Sequence, residues 1–228
     1  MLALAVPSAR PFPHFASGCA RADFASGGAT VRAERCGPAS GTRAVIVLHG
    51  CGGFSTFDHS LAADLPRFGL TTLDVDYFGP TPPPGTKGFC DGFRGANPFP
   101  VWQRVAADAA RTLRPHFARV GAVGWSLGAG VALATAESTR AFDAVAAFSA
   151  LAFPEELANA GDLPPTIFLD GGRRDIIPPA NARAWYAAAR RAHVATALAV
   201  YGDGVHSWPG AQGAWGRAKA ASFLLRHL

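Results

Sequence analysis

Short apolar runs alternate with stretches of helical spacing along most of this chain. Ala44 to Leu48 is apolar and of strand length, and Leu70 to Val75, Val120 to Val123, Val145 to Phe148, Thr166 to Leu169 and Ala195 to Val200 repeat the pattern. Between these runs, helical spacing covers Asp58 to Phe68, the stripe Trp102, Val105, Ala109 and Leu113, Leu127 to Thr135, and the regions 154–159 and 178–192. A last helix carries Trp215, Ala218, Ser222 and Leu225 on one face. Near-continuous apolar strands separated by helices predict an α/β fold, a mostly parallel sheet with helices on both faces.

The ends of the pattern set the domain organisation. Residues 1–28 are rich in Pro, Ala, Ser and Gly without periodicity, which predicts an irregular N-terminal arm leading to a first strand over Thr30 to Cys36. Residues 29–228 then form a single domain. Residues 79–98 hold five of the 18 prolines together with Gly85, Gly88, Gly92 and Gly95. Such a segment predicts a long loop over the sheet edge, of the kind that often carries function.

Composition narrows the class of protein. With 228 residues, 49% hydrophobic and 16% charged, the chain can bury a full core without disulfide or metal staples and is not disordered. The net charge of +5 is spread thinly, and Arg173-Arg174 and Arg190-Arg191 have no basic stripe around them, so nucleic-acid binding is not expected. No run reaches 18 apolar residues, which argues against membrane insertion. Met1 to Val6 is too short, and lacks the basic leader, for a secretory signal. Compartment stays open between the cytoplasm and export after removal of an upstream signal. Cysteines 19, 36, 51 and 90 show neither Cys-x-x-Cys spacing nor paired histidines, so no metal site is expected. They read either as small buried side chains in a reducing compartment, the preferred reading for Cys51, or as two disulfides of an exported protein.

Candidate chemistry centres on Gly124-Trp125-Ser126-Leu127-Gly128, a Gly-x-Ser-x-Gly sequence with an apolar strand before it and a small-residue helix after it. That context predicts a sharp strand-to-helix turn with Ser126 at its tip. A serine hydroxyl needs a base to take its proton. Of the seven histidines, His206 stands in the loop after the last predicted strand, which places it at the same sheet edge as Ser126. The orienting carboxylate should follow the strand Thr166 to Leu169. Asp175 is preferred over Asp170, because Gly171-Gly172 lets the chain turn towards His206; Asp203 is a poorer substitute. Backbone N–H groups that would stabilise an oxyanion come from Leu127 and from Cys51 or Gly52 in the loop after His49. Phe54, Phe78, Trp125 and Trp208 are candidate walls of a substrate pocket.

Taken together, the segments His49-Gly50-Cys51-Gly52-Gly53-Phe54, Asp76-Tyr77-Phe78-Gly79-Pro80, the Ser126 turn, Asp175 with its Ile-Ile-Pro tail, and Val205-His206-Ser207-Trp208 resemble the dienelactone hydrolase family of α/β-hydrolases. The resemblance spans residues 30–228 and implies hydrolysis of small esters or lactones through an acyl-enzyme, with no cofactor. The namesake enzymes carry cysteine where Ser126 stands, glutamate at the place of Gly50 and an arginine where this chain has Pro209-Gly210. These departures favour a serine carboxylesterase of the same fold. A serine peptidase, an acyltransferase or a non-catalytic binding module are the alternatives on this scaffold.

Overall fold

The computed structural model describes residues 19–82, 88–92 and 96–228. In chain order the elements are β1 (Cys19–Arg21), β2 (Phe24–Ser26), β3 (Ala29–Val31), β4 (Ala33–Cys36), β5 (Gly41–Leu48), α1 (Thr56–Asp64), β6 (Thr71–Val75), α2 (Phe99–Leu113), β7 (Phe117–Trp125), α3 (Leu127–Thr139), β8 (Val145–Phe148), α4 (Pro154–Ala158), β9 (Thr166–Asp170), α5 (Pro179–Arg191), β10 (Thr196–Val200) and α6 (Gly210–His227). The main sheet has eight strands in the order β1-β4-β6-β5-β7-β8-β9-β10. From β6 to β10 every pairing is parallel, whereas β4 and β1 join antiparallel.

Strand periodicity explains why helices are needed on both faces. In β5, Ile46 and Leu48 point to one face and Val45 and Val47 to the other, and all four are fully buried. On the first face of the sheet the core includes Trp102, Val105 and Ala109 of α2, Val131 and Ala132 of α3 and, against Phe168 of β9, Trp185 of α5. The second packs against Phe57 and Leu61 of α1 and Ala221 and Leu224 of α6. The predicted α/β class is therefore the observed one.

Three expectations need correction. The irregular arm does not extend to residue 28. Its first 18 residues lie outside the described ones, but Cys19–Arg21 pairs with β4 and Phe24–Ser26 forms a hairpin with β3. The hairpin turns on Gly27 and Gly28, both at positive φ (57° and 83°), a two-residue connection that glycine permits at little cost. The single strand expected over Thr30 to Cys36 is accordingly split at Arg32 between β3 and β4. In α6 the buried face is Gly213, Gly216, Ala220, Phe223 and Leu224, while Ala218 and Ser222 are exposed. The small residues face inward because Trp208 lies against them: a side-chain carbon at Gly216 would come within 2.7 Å of its ring and 2.8 Å of Phe148.

The cysteines form two disulfides. Cys19 is bonded to Cys36 across the β1–β4 pair and Cys51 to Cys90, with no free cysteine. Such bonds persist in oxidising environments. Cys51 is thus half of a crosslink rather than a small packed side chain.

Candidate active site

β7 runs directly into α3 through Ser126, with no intervening loop. Ser126 sits at φ 55°, ψ −118°, a strained conformation for a residue with a side chain, and its N–H donates to the Phe148 carbonyl at 2.8 Å. The flanking glycines are steric requirements. A Cβ at Gly124 would lie 2.2 Å from the Gly128 carbonyl oxygen, and one at Gly128 would lie 2.2 Å from that of Leu48. The turn is therefore pressed against the end of β5, where the loop from His49 begins.

The loops after β9 and β10 bring the other two residues to this edge. They are pinned together by the bridges Gly172–Asp203 and Arg174–Val205. Gln212, at the start of α6, accepts from the Val205 N–H at 2.9 Å and donates to its carbonyl at 2.8 Å. Held this way, His206 Nε2 lies 2.9 Å from Ser126 Oγ, and its Nδ1 lies 2.7 Å from Asp175 Oδ1. The Trp125 indole donates to the His206 carbonyl at 2.9 Å, so the residue before Ser126 also fixes the histidine backbone.

Asp175 is enclosed but well supplied with donors. Besides His206 it accepts from the Ser149 hydroxyl at 2.6 Å, the Ile177 N–H at 2.9 Å and the Gly171 N–H at 3.2 Å. Burial alone would raise its pKa, but the hydrogen bonds from His206, Ser149 and Ile177 outweigh burial and hold it below the usual value, so the group is ionised at neutral pH. Asp170, five residues earlier, has a carboxylate whose Oδ1 accepts from the Gly172 N–H at 2.7 Å and whose Oδ2 is buried without a partner among the described residues, and burial pushes its pKa to about 6. Asp203 is exposed beside Arg173 and Arg174. Of the three carboxylates, Asp175 is the one hydrogen-bonded to His206.

Opposite the Ser126 turn, the Gly53 N–H donates to the Gly50 carbonyl at 3.1 Å, closing a turn with Cys51 and Gly52 at its corners. Their N–H groups are not used by the bond that closes this turn. Leu127 is the first residue of α3, where backbone N–H groups lack intrahelical acceptors. The Cys51 carbonyl accepts from the Phe89 N–H at 2.7 Å, and the Cys51–Cys90 bond ties the turn to the long loop. Beneath it, buried His49 donates from Nδ1 to the Gly50 carbonyl and stacks on Tyr77, whose hydroxyl donates to the His49 carbonyl. Burial lowers the His49 pKa to about 4, so this ring is neutral.

The four candidate pocket walls divide. Trp125 and Phe54 are half-buried, and the Trp125 ring lies 5.3 Å from that of His206. Phe78 and Trp208 are enclosed in the core instead. Phe78 packs on Trp102 and Phe89, while Trp208 packs on Phe57 and Phe148 and donates to Ser149 Oγ at 3.0 Å. Trp208 therefore supports the partner of Asp175 and does not line a pocket. Ser149 and Gln212 are site residues that carry no motif and were missed. Also unforeseen are the exposed apolar side chains Leu151 and Phe153, after β8, and Ile176, beside Asp175.

A model of the dienelactone hydrolase family matches residues 101–223. No curated protein matches the chain by sequence. Among solved structures, a dienelactone hydrolase from Anabaena variabilis is 20% identical with a TM-score of 0.72, covering 92% of this chain and 98% of that one. A dienelactone hydrolase-like promiscuous phosphotriesterase from metagenomic libraries is 17% identical with a TM-score of 0.75, covering 92% and 98%. The Pyrococcus furiosus esterase is 16% identical with a TM-score of 0.73, covering 92% of each. These likenesses give the fold, and the family match, which takes in Ser126, Asp175 and His206, gives the kinship. The chain belongs to the dienelactone hydrolase family, carboxylic ester hydrolases of the α/β-hydrolase fold.

Proposed function

We propose that this chain hydrolyses small carboxylic esters or lactones with Ser126 as nucleophile, in a single catalytic domain. The observation that carries the reading is the unbroken hydrogen-bonded chain from Asp175 through His206 to Ser126, at 2.7 and 2.9 Å, on a strained turn. Ionised Asp175 accepts from Nδ1–H and thereby leaves the Nε2 lone pair facing the serine hydroxyl. Nε2 takes that proton as Oγ attacks the acyl carbon, and the carbonyl oxygen becomes an oxyanion. The N–H groups of Leu127 and of Cys51 or Gly52 stabilise it, each worth about 3 kcal/mol. His206 then passes the proton to the leaving alkoxide, and the acyl group remains on Ser126. A water deprotonated by His206 attacks this acyl-enzyme and regenerates the serine.

The substrate reading follows from what surrounds Gly50. A Cβ at that position would lie 2.7 Å from the Trp125 ring, so a glutamate side chain does not fit the site as built. With Pro209-Gly210 also in place of the namesake arginine, the pair that serves dienelactone is missing. Trp125 and the exposed Leu151, Phe153 and Ile176 favour an uncharged, apolar ester instead. A fluorophosphonate probe followed by peptide mapping, with a panel of short aryl esters and lactones, tests this. The expected result is labelling of Ser126 and turnover of neutral esters. No label and no turnover on a folded protein contradict it, and turnover confined to peptides or to acyl transfer supports the alternative enzyme classes.

A further inference from the structure

A second acidic grouping lies where the N-terminus of α1 meets β6. Asp58, His59 and Asp74 each offer one ligand atom, and these atoms lie within 4.8 Å of one another. Both aspartates are fully buried, while the His59 side chain keeps 24% of its surface exposed. Asp58 is supplied by Ser55, whose N–H donates at 2.7 Å and whose hydroxyl also donates, in a capping box. Asp74 is not so well supplied. Its Oδ2 faces His59 Nδ1 at 3.2 Å, and its Oδ1 is buried with no hydrogen-bond partner.

A buried, unpartnered carboxylate oxygen beside a second buried carboxylate is costly unless positive charge is placed between them. Burial, with Glu34 and Asp76 nearby, drives Asp74 well above the usual carboxylate range, and burial with Asp74 drives Asp58 to about 7.

We propose that Asp58, His59 and Asp74 form a binding site for a divalent first-row cation, for which zinc is the best fit, with solvent water as the remaining ligand. Two carboxylates neutralise the double charge, and an oxygen–oxygen–nitrogen donor set suits zinc. In a tetrahedral shell with bonds of about 2.0–2.2 Å, neighbouring ligand atoms sit about 3.4 Å apart. The 3.2 Å between His59 and Asp74 is already close to such an edge, and the exposed side of His59 gives the ion and its water a route in. The site is separate from Ser126 and takes no part in the proposed hydrolysis. It would fasten α1 to β6 and, through Phe54 stacked on His59 and packed edge-on against His49, stiffen the loop that carries Cys51. Cysteine spacing could not reveal it, because the donors are carboxylates and an imidazole, with Asp74 15 residues beyond His59 in sequence.

The test is zinc titration of the full, tag-free, chelator-treated chain by calorimetry, with metal content and thermal unfolding measured alongside. One zinc per chain is expected, with Tm rising by about 5 °C or more when zinc exceeds Kd a hundredfold. Asp74→Asn and, at the more exposed position, His59→Gln should each weaken binding at least tenfold and leave ester turnover within about twofold. The two variants guard against one failing to fold. Absence of saturable binding in the wild-type chain overturns the proposal. So does zinc binding undiminished in both variants, or a stabilisation by Asp74→Asn with no zinc response in the parent, which would mean that the carboxylates share a proton instead.

Discussion

Asp175 and Asp74 are both fully enclosed carboxylates, each facing the Nδ1 of a histidine, at 2.7 Å and 3.2 Å. Around Asp175 three further donors converge, from Ser149, Gly171 and Ile177, and the group stays ionised. Around Asp74 one oxygen has no partner, other carboxylates stand close, and the ionised form is disfavoured. Beyond the two rings the contrast continues: His206 meets the hydroxyl of Ser126, whereas His59 meets the ring of Phe54. An aspartate–histidine pair is thus poised for general-base chemistry only when donors hold its charge and a nucleophile waits on the far nitrogen.

The largest effect should come from breaking the first pair. Ser126→Ala or His206→Ala is expected to lower kcat about a millionfold, and Asp175→Asn about ten-thousandfold, measured on a neutral aryl ester with unfolding curves to verify the fold. Asp74→Asn, the same change in the second pair, should leave turnover within about twofold. Next comes the crosslink beside the proposed oxyanion donors. Replacing Cys90 by Ser frees the Cys51 turn and should cost up to about a hundredfold in kcat, the value of one misplaced donor, with less change in KM.

A smaller effect is expected from Ser149→Ala, which removes one donor from Asp175 and the acceptor of the Trp208 indole. It should cost about 1–3 kcal/mol in stability through the buried groups left unpaired. Because three donors to Asp175 remain, kcat should fall only about tenfold, with the acid limb of the pH–rate profile displaced. Smallest on activity is Asp170→Asn, which should turn over like the wild type. Its signature is in stability. The folded pKa of about 6 lies above the ordinary aspartate value of 3.8, so the folded state binds the proton more tightly and the contribution of Asp170 falls as pH rises between those values. Denaturant unfolding should find the variant more stable than the parent above pH 6, with the advantage gone below about pH 4.

What the sequence made legible follows from how local each cause is. The Ser126 turn is dictated by two glycines within five residues and by the apolar run before it, so its place could be read directly. His206 and Asp175 followed from sheet topology, since loops after parallel strands meet at one edge. Trp208 was misplaced because an aromatic beside a motif looks like a pocket wall, and only the glycines of α6 show that it is swallowed by the core. The β2–β3 hairpin was signalled by Gly27-Gly28 but hidden by flanks with little apolar alternation. Disulfide pairing, the roles of Ser149 and Gln212 and the meeting of Asp58 with Asp74 depend on residues distant in sequence, which no spacing rule records.

The most direct test of the central claim is a rapid-mixing experiment with an activated acetate ester, quenched in acid and mapped by mass spectrometry. A burst of about one equivalent of alcohol, with an acetyl group on the peptide bearing Ser126 in the wild type and none in His206→Ala, is the predicted result. Turnover without a burst and with no acyl adduct on Ser126, under conditions where deacylation is slow, would contradict it.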